Sequence, residues 1–396
     1  MKIRCVFLVL AFLVNASCLC ATTICVGELY FELNDVNKSA TVDSITNRWP
    51  WNIDMTYGYY DDVTYQFGIN IPSKVNYDGI TYTVTSIGDK AFRYCHKLGS
   101  IIIPESVTSI GDSAFQSSGL TSITIPEGVT SIGTSVFQGT KLTSIDIPKR
   151  VTSIGKHAFE SSRELGSITI PESVTSIGNY AFQYSGLTSI TIPEGVTSIG
   201  TSAFQSCNSL TSIIIHGSAT NIGDYVFSHC LSLTSVTISK GVISMGTGVF
   251  TNCTSLTSIN LPEGLTHIPW YAFYECSNLT SITIPESVTN IGDYAFNKAG
   301  LEFIRCDAVI PPIIEGTQKT FNNQQPIPLY VPAESVDLYK KVEVWKRFFN
   351  ILPIDEVISS VEEVRTTAKN KKFIRNGQVL IESGNKIYNT NGVEIR

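Results

Sequence analysis

The stretch L-T-S-I-T-I-P-E-G-V-T-S-I-G-T-S-A-F, Leu187 to Phe204, decides the fold. Variants of it recur along the chain, and its closing phenylalanine returns every 22 or 23 residues: Phe92, Phe115, Phe137, Phe159, Phe182, Phe204, Phe227, Phe250, Phe273 and Phe296. A fixed period of this length marks a solenoid, in which each repeat is one coil stacked on the one before. Within the coil, Leu187, Ile190 and Ile192 follow strand alternation, with Ser189 and Thr191 on the opposite side. Pro193 cannot donate to a ladder, so it ends the strand. Val196 and Ile199 return to the core, Gly200 permits a bend, and Ala203 and Phe204 point inward. The residue after that glycine (Asp89, Asp112, Asn179 or Thr201, for example) suits the cap of a short helical turn. With strands ~4.8 Å apart, ten coils predict a rod or shallow arc about 45–50 Å long.

The two repeat lengths differ in one turn only. Coils of 23 place six residues from Phe to the next Leu, often with a cysteine third: Cys95, Cys207, Cys230, Cys253 and Cys276. Coils of 22 place five and lack it, so strand register should survive. Departures fall at single rim positions: His216 and Ser239 replace the strand-ending proline, Met245 replaces an isoleucine, and Pro269-Trp270 stand where Gly and a cap belong.

The fold expected is therefore a β-rich solenoid of about ten 22–23-residue coils, each a short strand plus a short helical turn, capped at both ends. Lys2 and Arg4, the apolar run Cys5 to Val14 and small residues through Ala21 read as a signal peptide, residues 1–21. That run is too short to span a bilayer, and no later segment approaches the ~20 apolar residues needed. Cys18 is positioned like a lipoprotein anchor, but Asn15 replaces the aliphatic residue such signals use. Residues 22–83 are expected to form an aromatic-rich N-terminal cap, and 84–302 the solenoid. Residues 303–354 then make a C-terminal cap whose amphipathic helix, Ser335 to Phe349, carries Leu338, Val342, Trp345 and Phe349 on one stripe. A charged linker, 355–372, leads to a small β module at 373–396, where Asn391-Gly392 supplies a two-residue hairpin turn.

Charged residues are 16% of the chain, and the formal net charge is −6. Without the signal it falls to about −8, with 26 basic against 34 acidic residues. Neither value supports nucleic-acid binding, which needs clustered Lys and Arg. The five histidines stand at unlike positions of different coils, and there is no C-x-x-C, so no metal or cofactor is expected. His229-Cys230 has the residue types of a nucleophilic dyad. Cys230 shares its position with four other coil cysteines, however, which makes it a small core filler with a free thiol. The glutamates after the strand-ending prolines, such as Glu172 and Glu194, are interrupted by Lys149, Gly217 and Lys240 and read as a solvated rim, not a calcium ladder. No acid, base and nucleophile converge, and the chain is read as a non-enzyme.

Two surfaces remain as candidate sites. The outward strand residues Ser122/Thr124, Ser167/Thr169, Ser189/Thr191, Ser235/Thr237 and Ser281/Thr283 form a hydroxyl-rich face of the kind solenoids use to bind partners. Ile102, Asp146, Ile214 and Asn260 interrupt it, which argues against ice binding. Trp49, Trp51, Tyr57, Tyr59 and Tyr60 could form a sugar-stacking platform or, more simply, cover the first coil.

The phrase I-P-E-x-V-T-S-I-G-x-x-A-F-x-x-C, seen at Ile284 to Phe296 and Phe273 to Cys276, resembles the BspA-type leucine-rich repeats of surface proteins from Bacteroidetes-like bacteria. Ile71 to Gly88 looks like that group's first cap, and Leu329 to Phe348 like its last. Gly377 to Arg396 is similar to C-terminal sorting or anchoring modules. The resemblance covers roughly residues 68 to 354. It implies a leucine-rich-repeat solenoid, exported to the cell surface or secreted, with an adhesin-like role. Its partner would be an extracellular protein or host matrix ligand, or alternatively a glycan held by the aromatic segment; an exported scaffold is the remaining reading.

Overall fold

The computed structural model describes residues 29–34, 36–45, 67–216, 221–317, 319–321, 327–348 and 350–354, and the backbone of strands at 22–26, 370–375, 378–383, 386–389 and 394–395. All ten repeat phenylalanines are buried. They stack in one column, ring centroids 5.1–5.7 Å apart and planes within 19° of parallel. Two parallel ladders flank this column. The first holds the longer strands, with Ser189–Ile192 pairing Ser212–Ile215, which pairs Ser235–Ile238. The second is built of Ser-Ile pairs and runs from Ser131–Ile132 to Ser244–Met245 through six coils. Both repeat lengths keep register: Ser131 lies opposite Ser153 across 22 residues, and Ser153 opposite Ser176 across 23.

The segment expected to be a short helical turn is not helical. It is a run of β-turns with two left-handed residues per coil, for example Ser202 (φ 55°) and Ser206 (φ 58°). Alternate amides point different ways. Those of Ser202, Phe204 and Ser206 donate to Asp224, Val226 and Ser228 of the next coil, whereas Ala203, Gln205 and Cys207 bond three residues back. The physical reason is pitch. A helix with side chains is about 10 Å wide, and coils spaced at 5–6 Å leave no room for one. The expected caps act between coils for the same reason: Asp89 Oδ1 accepts from the Asp112 amide at 2.8 Å, and Asn179 Oδ1 from the Thr201 amide at 2.9 Å.

Glycine placement follows from coil length. Where the shorter Phe-to-Leu turn follows a longer one, the longer turn beneath crowds it. A Cβ on Gly119, Gly186 or Gly300 would lie 2.1, 2.1 or 2.0 Å from a carbonyl oxygen of the preceding coil. Where a short coil follows a short one, Lys141 takes the equivalent place.

At the N-terminal end, β1 (Thr22–Val26), β2 (Leu29–Asn34) and β3 (Ser39–Ile45) form an antiparallel meander. Strand β4 (Phe67–Asn70) pairs with Leu98–Ile102 of the first ladder. Strands β5 (Lys74–Tyr77) and β6 (Ile80–Ile87) make a hairpin through Asp78 and Gly79, both left-handed, as a type I′ turn requires. β6 is paired on one edge by β3 and on the other by Ser109–Ile110, so both ladders of the first coil are covered.

At the other end the stack continues past residue 302. Phe303–Cys306 and Ile313–Ile314 extend the two ladders, and Phe321 adds an eleventh ring, 5.6 Å from Phe296 and 6° from parallel. The expected 15-residue helix is absent. Val336–Tyr339 is one α-helical turn, α1, between 3-10 turns at Ala333–Ser335 and Trp345–Arg347. Leu338 and Val342, placed on the apolar stripe, are exposed, while Tyr339 and Trp345 are buried; Phe349 lies outside the described residues. Polar anchoring explains the difference. The Tyr339 hydroxyl donates to the Ala308 carbonyl at 2.7 Å, and Trp345 Nε1 to Pro312 at 2.9 Å, which fixes both side chains inward. Phe348 meets Phe321 edge-on at 5.1 Å and ends the ring column.

The C-terminal module is a four-stranded antiparallel sheet. Its first strand, Asn370–Arg375, begins inside the expected linker, and the last pair sets Tyr388 opposite Glu394; Asn391-Gly392 lies outside the described residues. That register puts Ile387 opposite Ile395.

Asp293 clamps the final full coil. Its carboxylate accepts from the amide and hydroxyl of Thr317 and from the amides of Lys319 and Tyr294. Burial raises its pKa, but these donors outweigh burial and the net shift is downward.

Two outcomes test this account. Gly186→Ala should lower unfolding free energy by about 1–3 kcal/mol through overpacking, while Lys141→Ala should change it by less than about 0.5 kcal/mol; chemical denaturation reads both. Asp293 has a lowered folded pKa, so its stabilisation is complete above the ordinary value of 3.8 and is lost as pH falls through the folded value. Asp293→Asn should therefore cost about 1–3 kcal/mol at pH 7 and far less in strong acid, by urea unfolding at each pH.

Candidate ligand face and its neighbouring columns

Strand alternation sends every second residue of the first ladder outward. Ser122, Thr124, Ser167, Thr169, Ser189, Thr191, Ser235, Thr237 and Thr283 are exposed, and Ser281 is half-buried. The structure brings them onto one side of the stack, in two rows. Ser189, Ser212 and Ser235 are register partners in one row, and Thr191, Ile214 and Thr237 in the other. Asp146 opposes Thr169, and Asn260 bridges to Thr283. The apolar interruptions are open to solvent, with Ile102 65% and Ile214 39% exposed.

The face extends further than the serine–threonine rows. Phe303 lies opposite Ser281, Arg305 opposite Thr283, and Tyr330 opposite Arg305. Phe303 and Tyr330 meet edge-on at 6.0 Å, and Arg305 Nε holds Asp307 at 2.6 Å. The signal was present in the sequence, because Leu301 to Cys306 repeats the strand alternation five residues after Phe296.

Not all the hydroxyls belong to this face. Thr188, Thr211 and Thr234 donate to carbonyls of the coil before at 3.0–3.2 Å, and so do Thr152, Thr175 and Thr197 beside the second ladder at 3.1–3.3 Å. These bonded threonines stand outside the alternating positions that the sequence assigns to the face.

The cysteine column is also more polar than a filler. Cys207, Cys230, Cys253 and Cys276 are buried free thiols. Each donates to a phenylalanine carbonyl of the preceding coil at 3.1–3.2 Å. Ser162 makes the same bond at 2.8 Å in its coil, whereas Ala299 fills the same place with no donor, so the column takes a small side chain and cysteine is one choice. Burial pushes the thiols up, to about 11 for Cys207 and about 12 for Cys276. His229 is exposed and contacts Ser228 through Nδ1 at 2.8 Å, so it forms no dyad with the buried Cys230. Other histidines serve the stack: His157 contacts Glu160 at 2.7 Å and lies over Tyr180 at 4.9 Å. Among the described residues, no group of three His, Cys, Asp or Glu is placed to hold a metal ion. No helix among them is long and apolar enough to cross a membrane. Trp49, Trp51, Tyr57, Tyr59 and Tyr60 lie outside the described residues.

A thiol raised from 9.0 to about 11 holds about a hundredfold less thiolate at pH 8. In the native protein the four column thiols should therefore resist a thiol reagent that labels all of them in urea, as mass spectrometry would record.

Several solved structures are similar. A leucine-rich cell surface protein from Faecalibacterium prausnitzii is 26% identical with TM-score 0.43, over 84% of this chain and 95% of that one. The pneumococcal vaccine antigen PcpA is 20% identical with TM-score 0.52, over 84% and 98%. A leucine-rich repeat protein from Bacteroides ovatus is 23% identical with TM-score 0.33, over 71% and 94%. The likeness to PcpA shows the fold alone. No curated protein sequence matches. The model of the BspA type leucine rich repeat region matches in six copies, over residues 73–186 and 175–302. That is more than half of the chain, which therefore belongs to the BspA-type leucine-rich repeat family.

Proposed function

We propose that this chain is an exported binding protein of the cell surface or secreted fraction, adhesin-like, which recognises an extracellular protein along the strand face and performs no catalysis. The observation that carries this reading is the face itself. A row of exposed side chains, each one strand spacing from the next, is held rigid by parallel ladders while its own hydroxyls stay available. Such a surface loses little conformational freedom on binding, which favours affinity for an extended partner. The end formed by Phe303, Arg305 and Tyr330 adds the aromatic and guanidinium groups that dominate many protein interfaces. The signal-like start of the sequence supports export, and membership of a family of surface proteins supports an extracellular role.

The test uses residues 22–396 over immobilised extracellular-matrix proteins at physiological salt. Saturable binding to at least one is expected, weakened about tenfold or more, roughly 1.4 kcal/mol, by a Thr169→Lys/Thr191→Lys double variant. Retention of no protein, or binding indifferent to both lysines, would move the reading to an exported scaffold.

A further inference from the structure

Trp270 departs most sharply from the repeat. It occupies a column otherwise filled by Asp, Asn, Thr and Lys, and 40% of its surface is open to solvent. An exposed indole usually has rotamer freedom; this one is fixed. Its pyrrole edge passes over the next coil, where a Cβ on Gly292 would lie 2.4 Å from the Trp270 backbone nitrogen and 2.5 Å from its Cδ1; backbone excludes a side chain there as it does at Gly246, and the indole lies against that gap. Its Nε1 donates to Glu315 Oε2 at 2.9 Å, two coils away. The other oxygen of Glu315 accepts from Asn290 Nδ2 at 3.0 Å and lies 3.6 Å from His267 Nδ1. Three coils thus supply the parts that hold one indole in place.

A second aromatic group lies one position along the chain. Tyr271 and Tyr294 stand on successive coils with rings parallel within 10° and 5.0 Å apart. Tyr274 meets both edge-on, at 5.6 and 6.3 Å. Two lysines border these rings: Lys298 holds Glu275 at 2.6 Å and lies over Tyr274 at 5.1 Å, and Lys319 lies over Tyr294 at 5.6 Å. The patch is therefore aromatic, rich in amide, carboxylate and imidazole groups, and close to neutral.

We propose that Trp270, edged by Asn290, Glu315 and His267 and followed along the chain by the stacked Tyr271, is a binding site for a neutral saccharide. A sugar ring has one apolar C–H face and a rim of hydroxyls that both donate and accept. A fixed indole offers the apolar surface without the entropic cost of ordering it. Glu315 accepts, Asn290 donates, and His267 does either according to tautomer, all beside the indole's polar edge. Because the two tyrosines stand on successive coils, an extended oligosaccharide running along the stack meets one aromatic edge per coil. The site is separate from the strand face and independent of the proposal made for it.

The test is native affinity electrophoresis of residues 22–396 in gels carrying a β-glucan, a xylan, a mannan or a galactan. At least one should retard the protein, and Trp270→Ala should weaken that binding by at least about tenfold, roughly 1.4 kcal/mol. Glu315→Ala, which frees the indole without removing it, should weaken binding in the same direction. Unchanged circular dichroism and melting temperature certify the fold of each variant. Retardation by none of the four polymers overturns the proposal, and so does retardation that Trp270→Ala leaves intact. Binding to heparin alone would assign the patch to its lysines, and loss of a protein ligand alone in Trp270→Ala would make it a protein contact; either result also overturns it.

Discussion

The distance between neighbouring backbone turns governs everything else in this molecule. Parallel ladders fix that distance near 5 Å, and every side chain must fit a column with that repeat. Flat rings meet the condition, since parallel phenyl groups at 5.1–5.7 Å fill the interior without gaps. Helices do not meet it, and none forms among the described residues of the repeats. The turn segment instead sends alternate amides to the next coil, so that even the sharpest part of each repeat contributes to the ladder between coils. Stability therefore belongs to pairs of coils and to no coil alone.

Much of this was legible because the pattern is redundant. Ten phenylalanines in register, with alternating apolar residues ahead of them, allow one interior and one outward face. What escaped was what depends on neighbours in space. Ile199 returns to the core as its spacing predicts, but with Ser198 it also pairs laterally as one rung of a second ladder. Phe321 lies 25 residues after Phe296, outside the 22–23 period, and so the final ring was assigned to a cap. The helix expected over Ser335 to Phe349 had the right spacing of apolar residues, but two buried hydrogen bonds to Ala308 and Pro312 set a tighter path.

The candidate surfaces differ in the same way. The serine and threonine face could be read directly, because alternation alone determines which side a strand residue occupies. Its aromatic continuation at Phe303 and Tyr330 was hidden by the assumption that the repeat had ended. Trp270 stood out as an anomaly in a single column. Its meaning depends on Gly292 and Glu315, which lie 22 and 45 residues onward and come together only when the coils stack. Two kinds of surface follow on one scaffold, one made by repetition and one by a departure from it.

The glycines at 119, 186 and 300 place a constraint on how such a chain can change over generations. A short unit laid on a long one needs a residue without a side chain at its seam, whereas a short unit on a short one does not. Duplication, deletion or exchange of repeats thus obeys a rule of adjacency, in which the admissible successor depends on the predecessor's length. The array behaves less like interchangeable beads than like a sentence, where word order decides which joins are permitted.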